Sequence, residues 1–371
     1  MPDPLDPEHL TPAASLNRVR VMDLPGRALE DEVKGQFAFD LLSTGALVDL
    51  MRRDAARLGL TTGDLADGSQ ASHLLDRAFA ADDPTIRAAA DAVAARYGRR
   101  LAYLILTLKR GDPVNRQARA DWDDSYWEQW AGVEQIWLGG GLASGQLGAR
   151  FQHWAAEYLR AAGLPEFGLH IAAYPAVLPL IGAARSVPAG DPAALVFDFG
   201  QTAVKRARAV YQDGTLTALH LLPAIPAGFD NAGAELSGAK VAALAERVVA
   251  VLVATWGAAQ EHGVTPAPVL VASIAAYVRD NQPLLRQGGP YSHLHILSAS
   301  LGAWFAEQVS KRLGQEIGVA LLHDGTAAAR AYAGEPRSAV IMLGTALGIG
   351  FPPAATALRP VAPGFRVVVD P

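Results

Sequence analysis

Apolar side chains between residues 84 and 111 recur at intervals of three or four positions. An α-helix turns once every 3.6 residues, so this spacing places them on one face of a long helix. The positions are Ile86, Ala90, Val93, Tyr97, Leu101, Leu104 and Leu108. The Gly-Asp-Pro sequence at 111–113 predicts where the helix ends.

Short apolar runs alternate with helical patterns through the rest of the chain. The segment 133–163 predicts a strand, a Gly-rich turn and a helix, and 268–278 predicts a buried strand. A hairpin is expected over 195–216, because its Asp-Gly pair favours a tight turn between two strands. Since strands and helices alternate throughout, the fold class is predicted to be α/β.

The segment 115–132 is polar but carries four aromatic side chains. They are Trp122, Tyr126, Trp127 and Trp130. Their spacing of 4, 1 and 3 favours a short helix packed against the body of the protein. An aromatic surface that contacts a substrate is the less favoured alternative.

Composition sets the size and class of the protein. The chain has 371 residues, of which 50% are hydrophobic and 19% charged. These values predict two domains with sizeable cores. The net charge of −5, without a strongly basic half, argues against a nucleic-acid partner. The absence of Cys excludes disulfides, thiol nucleophiles and Cys-ligated zinc.

The sequence pattern also argues against membrane insertion. Residues 1–18 lack a basic segment followed by an apolar run, as a signal peptide would have. The longest apolar runs, at 101–108 and 248–259, are too short to span a bilayer. We therefore expect a cytoplasmic protein without a membrane partner.

A polar turn follows the apolar run 195–197 and carries groups suited to a phosphate and a metal ion. Gly200 allows a bend that turns amide hydrogens towards an anion, and Thr202 offers a hydroxyl group. Asp198 can hold Mg²⁺ through water. The alternative is a plain hairpin whose Asp caps the turn. Lys205 either reaches a phosphate or lies on a solvated face, which the alternation of strand residues slightly favours.

A second polar turn, at 321–329, places Asp324 between an apolar strand and an Ala-rich helix. Strand ends in α/β sheets face ligand crevices, where a carboxylate can take a proton from a hydroxyl group. A simple helix N-cap is the alternative. The neighbouring His323 binds a substrate hydroxyl, hydrogen-bonds Asp324 or is a structural histidine.

Two further Gly-rich turns follow apolar strands, at 136–145 and 343–351. Each brings backbone close to any ligand that lies over it, although a Gly-rich turn alone is a weak signal. Their candidate residues are Gly139, Gly140, Gly141, Gly344, Thr345, Gly348 and Gly350.

Together the turns resemble the phosphate-1, phosphate-2 and adenosine motifs of the sugar kinase, Hsp70 and actin superfamily. They are most similar to those of the ROK family of sugar kinases and repressors. The Asp-x-Gly-x-Thr-x-x-Lys run at 198–205 is similar to its first phosphate hairpin, and 343–350 to its second phosphate loop. The run 136–143 is similar to its adenosine loop. The likeness spans roughly residues 30 to 351.

The resemblance implies ATP and Mg²⁺ as cofactors and a role for each matching residue. Asp324 becomes the catalytic base, His323 a substrate contact and Asp198 the Mg²⁺-organising carboxylate. The implied nucleotide contacts are Asp198, Gly200, Gln201, Thr202, Lys205, Gly344, Thr345, Gly348, Gly139, Gly140 and Gly141.

In the ROK family the first phosphate hairpin lies at the N-terminus, the second phosphate loop in the middle and the adenosine loop towards the end. Here the adenosine loop comes first, and the two phosphate motifs follow it. This rotated order indicates a circular permutation. We expect two ribonuclease H-like domains flanking a nucleotide cleft, as in the actin-like ATPase fold. The domain 31–187 corresponds to the C-terminal half of a ROK kinase, and 190–351 to the N-terminal half with the catalytic Asp. The arm 1–30 and the tail 352–371 are expected to complete the sheet of the first domain. Exposed termini that lie close together make such a permutation physically reasonable.

Several departures from the ROK pattern concern the sugar site. Without Cys the structural zinc of many ROK kinases is not expected. The sugar-holding Glu-x-Gly-His segment and the Pro-Asn-Leu contact have no counterpart. His323 replaces an Asn, and Ala346 replaces the last Gly of a Gly-Thr-Gly triplet.

The predicted function is ATP- and Mg²⁺-dependent phosphoryl transfer to a hydroxyl group of a sugar or sugar-like metabolite. A catalytically degenerate ROK-like protein for ligand binding or assembly is the alternative. A third, weaker hypothesis is an ATPase that drives domain closure for a protein partner. The expected partner is a small-molecule substrate, and a homodimer is left open.

Overall fold

The computed structural model describes residues 6–228, 237–285 and 289–369 and has a mixed α/β architecture. Its helices are α1 (Ala38–Leu42), α2 (Thr44–Arg53), α3 (Ala55–Leu58), α4 (Ala71–Phe79), α5 (Pro84–Arg110), α6 (Pro113–Gln117), α7 (Asp124–Gly132), α8 (Gly145–Ala161), α9 (Leu178–Arg185), α10 (Gly238–Glu261), α11 (Leu301–Leu313) and α12 (Asp324–Arg330). Short 3₁₀ turns join some of them.

The strands form two larger sheets and two short two-stranded ribbons. They are β1 (Arg20–Val21), β2 (Gln36–Phe37), β3 (Gln135–Gly139), β4 (Gly168–Ile171), β5 (Ala193–Phe199), β6 (Ala203–Gln212), β7 (Thr215–Pro226), β8 (Val269–Ile274), β9 (Val278–Arg279), β10 (Gln282–Pro283), β11 (Gly318–His323), β12 (Ser338–Met342), β13 (Gly348–Gly350) and β14 (Val361–Val369). The α/β class predicted from the alternating pattern is therefore confirmed.

The chain divides into two compact units, and each is discontinuous in sequence. Among described residues, unit 1 holds 13–176 and 336–349, and unit 2 holds 6–12, 177–335 and 350–369. The predicted boundaries at 187 and 351 differ from this division. The segment 336–349 joins unit 1 because β12 pairs in parallel with β3, and α9 joins unit 2 because it packs on β5 and α12.

Unit 1 contains a sheet of order β13-β12-β3-β4, in which β12, β3 and β4 are parallel. The long helix α5 packs against α8. Its start and end follow the expected capping chemistry. The Asp83 carboxylate accepts the amide hydrogen of Thr85, Pro84 occupies the first turn, and Gly111 adopts the left-handed conformation at the end.

The aromatic segment of unit 1 packs as predicted. Trp122, Tyr126, Trp127 and Trp130 are all buried, the last three on α7. The rings of Trp122 and Tyr126 stack with centroids 5.2 Å apart, and the indole Nε1 of Trp122 donates to the carbonyl of Ala13. The packing interpretation is therefore confirmed for this segment.

Unit 2 contains a sheet of order β11-β8-β5-β6-β7-β14. Strands β5, β8 and β11 are parallel, and β6 runs antiparallel to both β5 and β7. The predicted hairpin turn joins β6 to β7, where Asp213 and Gly214 both have positive φ. The C-terminal tail supplies β14, which pairs with β7, so its predicted place in the other domain's sheet was wrong.

One face of the unit 2 sheet packs against α10 and α11. Side chains of alternate β5 positions, Leu195, Phe197 and Phe199, lie in this core. Because strand residues alternate between faces, Asp198 lies on the opposite face. The position of this carboxylate is therefore fixed by the apolar residues on either side of it.

Helix α10 contains the apolar run 248–259, which was expected to be too short to span a bilayer. It is 24 residues long and, by length and composition alone, apolar enough to span a membrane. Half of the most apolar 18-residue stretch of this helix is buried. Val241, Val248 and Leu252 of α10 lie in the unit 2 core. Buried core helices share this composition, so the cytoplasmic location stays a prediction.

Candidate functional site

The predicted catalytic base, Asp324, and the predicted Mg²⁺-organising carboxylate, Asp198, both lie at strand ends in the unit 2 sheet. Asp198 is the penultimate residue of β5, and Asp324 follows β11 directly. Strand β8 lies between these strands, and its Ser273 is in register with Asp198. Because the three strands are parallel, their carboxyl ends meet at one edge of the sheet.

Asp198 is almost fully buried, with only 5% of its surface exposed. Its Oδ1 accepts the Ser273 hydroxyl at 2.9 Å, and its Oδ2 lies 3.5 Å from Nζ of Lys205. Burial raises the pKa of Asp198, which the Lys205 charge opposes and the negative charge of Asp324 raises further.

Lys205 lies directly opposite Asp198 in the β5–β6 pairing. Residues directly opposite in an antiparallel pair project from the same face, so the lysine reaches the aspartate. About a third of its side chain, 35%, is exposed. Lys205 is therefore partly solvated and also lies close to Asp198.

His323 and Asp324 form a compact pair at the start of α12. His323 is the N-cap residue, and its Nδ1 accepts the amide hydrogen of Thr326 at 3.2 Å. Its Nε2 lies 3.1 Å from Asp324 Oδ1, which also accepts the amide hydrogen of Gly325 at 2.7 Å. Asp324 is 30% exposed, whereas the His323 side chain is 5% exposed.

The turn between β5 and β6 closes on itself. The amide of Gly200 donates to the carbonyl of Ala203 at 3.1 Å, so this amide is used within the turn. The hydroxyl of Tyr291 donates to the Gly200 carbonyl at 3.3 Å. Thr202 is exposed and Gln201 is half-buried, so the tip of the turn is accessible to a ligand.

In unit 1 the two Gly-rich loops are bonded to each other. The amide of Leu343 donates to the carbonyl of Gly139 at 2.8 Å, and the amide of Leu142 donates back to the Leu343 carbonyl. Gly140 has a φ of +91°, and a Cβ there would lie 2.2 Å from the Leu343 carbonyl oxygen. A close backbone contact thus requires glycine at this position.

The second phosphate loop of the resemblance is fixed from two sides within unit 1. The carbonyl of Gly344 accepts the amide hydrogen of Thr44, the first residue of α2, at 2.8 Å. Asn17 exchanges two hydrogen bonds with the backbone of Leu347. Thr345 is half-buried, and Gly348 begins β13.

Sequence reasoning missed several residues that shape these sites. Ser273 binds Asp198, and the ring of Tyr277 stacks on His323 with centroids 4.3 Å apart. Burial, with the charge of Asp198, raises the pKa of Tyr291. Ser273 is a hydroxyl residue near the end of an apolar run, but its contact with Asp198 follows from the β5–β8 register.

The candidate site offers one or two carboxylates, which suits Mg²⁺ better than a metal ion that needs three or more protein ligands. Across 6–228, 237–285 and 289–369, no group of three or more His, Asp or Glu side chains is arranged to hold a metal ion. Mg²⁺ usually keeps several waters and binds through one or two carboxylates plus substrate phosphates. A buried carboxylate with a second negative charge nearby fits that mode of binding.

No protein-family model matches this chain, and no curated protein matches it.

Proposed function

We propose that this chain is an ATP- and Mg²⁺-dependent phosphotransferase that acts on a hydroxyl group of a sugar or sugar-like metabolite. The observation that carries the proposal is that Asp198 and Asp324 lie at the carboxyl ends of β5 and β11, two parallel strands separated by β8. Asp198 is buried beside a lysine, whereas Asp324 is partly exposed. Such a difference in environment suits one group for charge organisation and the other for proton transfer.

The architecture of the two sheets supports the proposed resemblance to an actin-like ATPase. In unit 2, β5 leads into a polar turn and lies between β6 and two parallel strands, β8 and β11. In unit 1, β12 leads into a Gly-rich loop and lies between β13 and two parallel strands, β3 and β4. The four strands β11-β8-β5-β6 of unit 2 thus match the order β4-β3-β12-β13 of unit 1, whereas β7 and β14 have no counterpart there.

Asp324 would act as the general base. Its Oδ1 is held by the Gly325 amide, so the carboxylate has a defined orientation at the start of α12. As the acceptor oxygen bonds to the γ-phosphorus, the bond from that phosphorus to its bridging oxygen breaks and ADP leaves. The proton of the acceptor hydroxyl group passes to Asp324.

Asp198 would organise Mg²⁺ on the phosphates, where the ion neutralises negative charge that develops during transfer. Lys205 would lie beside the same phosphates. Thr202 and Gln201 at the accessible turn tip would add phosphate contacts. The unit 1 residues that the resemblance assigns to phosphates are Gly344, Thr345 and Gly348, and those that it assigns to adenosine are Gly139–Gly141.

A non-catalytic ligand-binding or assembly protein is the second candidate. The amide of Gly200 is bonded within its own turn, which removes one donor from a phosphate cradle. Ala346 and the missing sugar-holding segment also favour this candidate. It predicts nucleotide or ligand binding without turnover.

The direct test is ADP release from ATP and Mg²⁺ with a panel of hexoses, amino sugars and polyols. Asp324→Asn should lower the rate of transfer about 10²–10⁴-fold and leave ATP affinity nearly unchanged. Asp31→Asn, which changes an exposed carboxylate of unit 1, is the matched control. Equal rates for Asp324→Asn and the unaltered protein would contradict the base assignment.

A further inference from the structure

We infer that His323 is a positioning residue that orients the carboxylate of Asp324, and does not bind the acceptor hydroxyl group. This inference rests on the proposed function of Asp324 as the base. The geometry at the start of α12 carries it, because both imidazole nitrogens already contact neighbouring groups.

The hydrogen bonds assign the tautomer of His323. Nδ1 accepts the backbone N–H of Thr326 at 3.2 Å and lies 3.3 Å from the Thr326 hydroxyl, which can also donate to it, so we infer that this nitrogen carries no proton. In the neutral ring the proton then resides on Nε2, which lies 3.1 Å from Asp324 Oδ1. His323 therefore donates to Asp324 and caps α12 with the same ring.

Packing fixes the orientation of this ring. Its plane lies 16° from that of Tyr277, with ring centroids 4.3 Å apart, and only 5% of the side chain is exposed. A buried, stacked ring with both nitrogens engaged has little access to a substrate. Its donor nitrogen is instead held at one place beside the carboxylate.

Two donors meet on one oxygen of Asp324. The Gly325 amide at 2.7 Å and His323 Nε2 at 3.1 Å both contact Oδ1. Two donors that approach one oxygen from different directions prevent the carboxylate from rotating freely. The direction in which Oδ2 points is therefore set as well. Loss of one donor should misplace the base, and small misplacements of reacting groups cost up to about 10²-fold in rate.

Two substitutions separate positioning from helix capping. His323→Ser keeps an N-cap acceptor for Thr326 but has no donor that reaches Asp324. His323→Asn keeps an acceptor oxygen and also supplies amide donors. Both variants lack the buried imidazole ring, and thermal unfolding measures how much stability each loses for that reason.

The experiment compares kcat and KM for ADP release with ATP, Mg²⁺ and the best acceptor from the hexose, amino-sugar and polyol panel. His323→Ser should lower kcat about 10–100-fold with KM nearly unchanged, and His323→Asn should recover most of that loss. Unchanged kcat in His323→Ser, equal losses in both variants, or a loss confined to the acceptor KM would each overturn the inference.

An independent measurement keeps failure of the inference distinct from failure of the proposed function. In ¹⁵N-histidine NMR spectra, His323 should show a protonated Nε2 and an unprotonated Nδ1, with an Nε2 shift that changes in Asp324→Asn. A proton on Nδ1 would overturn the inference whether or not the enzyme turns over. Absence of transfer by the unaltered protein, with this tautomer present, would overturn the proposed function instead.

Discussion

At the scale of single residues, Asp198 has the largest influence on the charge balance of the unit 2 site. Its carboxylate is buried, is partly compensated by Lys205 and is opposed by the charge of Asp324. A carboxyl group whose folded pKa is raised binds a proton more tightly in the folded state than in the unfolded state. Stability is therefore lost as the pH rises above the ordinary value of 3.8 towards the folded pKa.

Replacing this carboxylate should stabilise the protein at neutral pH while harming the site. Asp198→Asn removes the buried charge, and Lys205, about a third exposed, remains solvated. We expect the melting temperature at pH 7 to rise by roughly 2–4 °C, and its decline as the pH rises above 3.8 to flatten. Calorimetric melts over that range measure this, with Asp31→Asn as control. A lower melting temperature for Asp198→Asn at pH 7 would contradict the burial argument.

The sequence singled out the candidate carboxylates but not the side chains that contact them. Asp198 and Asp324 stand out because each comes at the end of a largely apolar run and one or two residues before a glycine. The contact of Lys205 could not be read, because strand alternation does not identify the residue opposite on the neighbouring strand. The bond from Ser273 depends on register between strands that are far apart in sequence.

At the scale of elements, the regular spacing of apolar residues was enough to predict α5, whereas a glycine in the sequence did not show whether it serves packing or ligand binding. The run that gives α5 has a capping Asp, a proline and a terminal glycine, all visible in the sequence. The glycine triplet 139–141 gave no indication of which position serves packing. The structure assigns packing to Gly140, whose backbone meets Leu343, and leaves open space at Gly141.

Two alanine substitutions in this loop should therefore differ. Gly140→Ala should cost about 2–4 kcal/mol of unfolding free energy, because its Cβ would meet the Leu343 backbone at positive φ. Gly141→Ala has nothing within 4 Å and should change stability by less than about 1 kcal/mol. Urea unfolding of both variants measures the difference. Equal stabilities would contradict the described approach of the two loops.

At the scale of the whole molecule, long-range pairing decides which segments belong together. Strand β12 comes late in the chain yet pairs with β3 in unit 1. The C-terminal β14 pairs with β7, and both of these strands belong to unit 2. Local pattern predicts that these strands exist but not which partner they take. That is why the element types were predicted well, whereas the domain boundaries and the place of the tail were not.

The central claim is that Asp198 and Asp324 of unit 2 act on a bound ATP and its magnesium ion. Isothermal titration calorimetry with ATP, with and without Mg²⁺, tests this most directly, because it needs no knowledge of the acceptor. We expect a Kd below about 1 mM with Mg²⁺, and clearly weaker binding without Mg²⁺ or in Asp198→Asn. The absence of binding heat at millimolar ATP and Mg²⁺, in a protein that unfolds cooperatively, would contradict the claim.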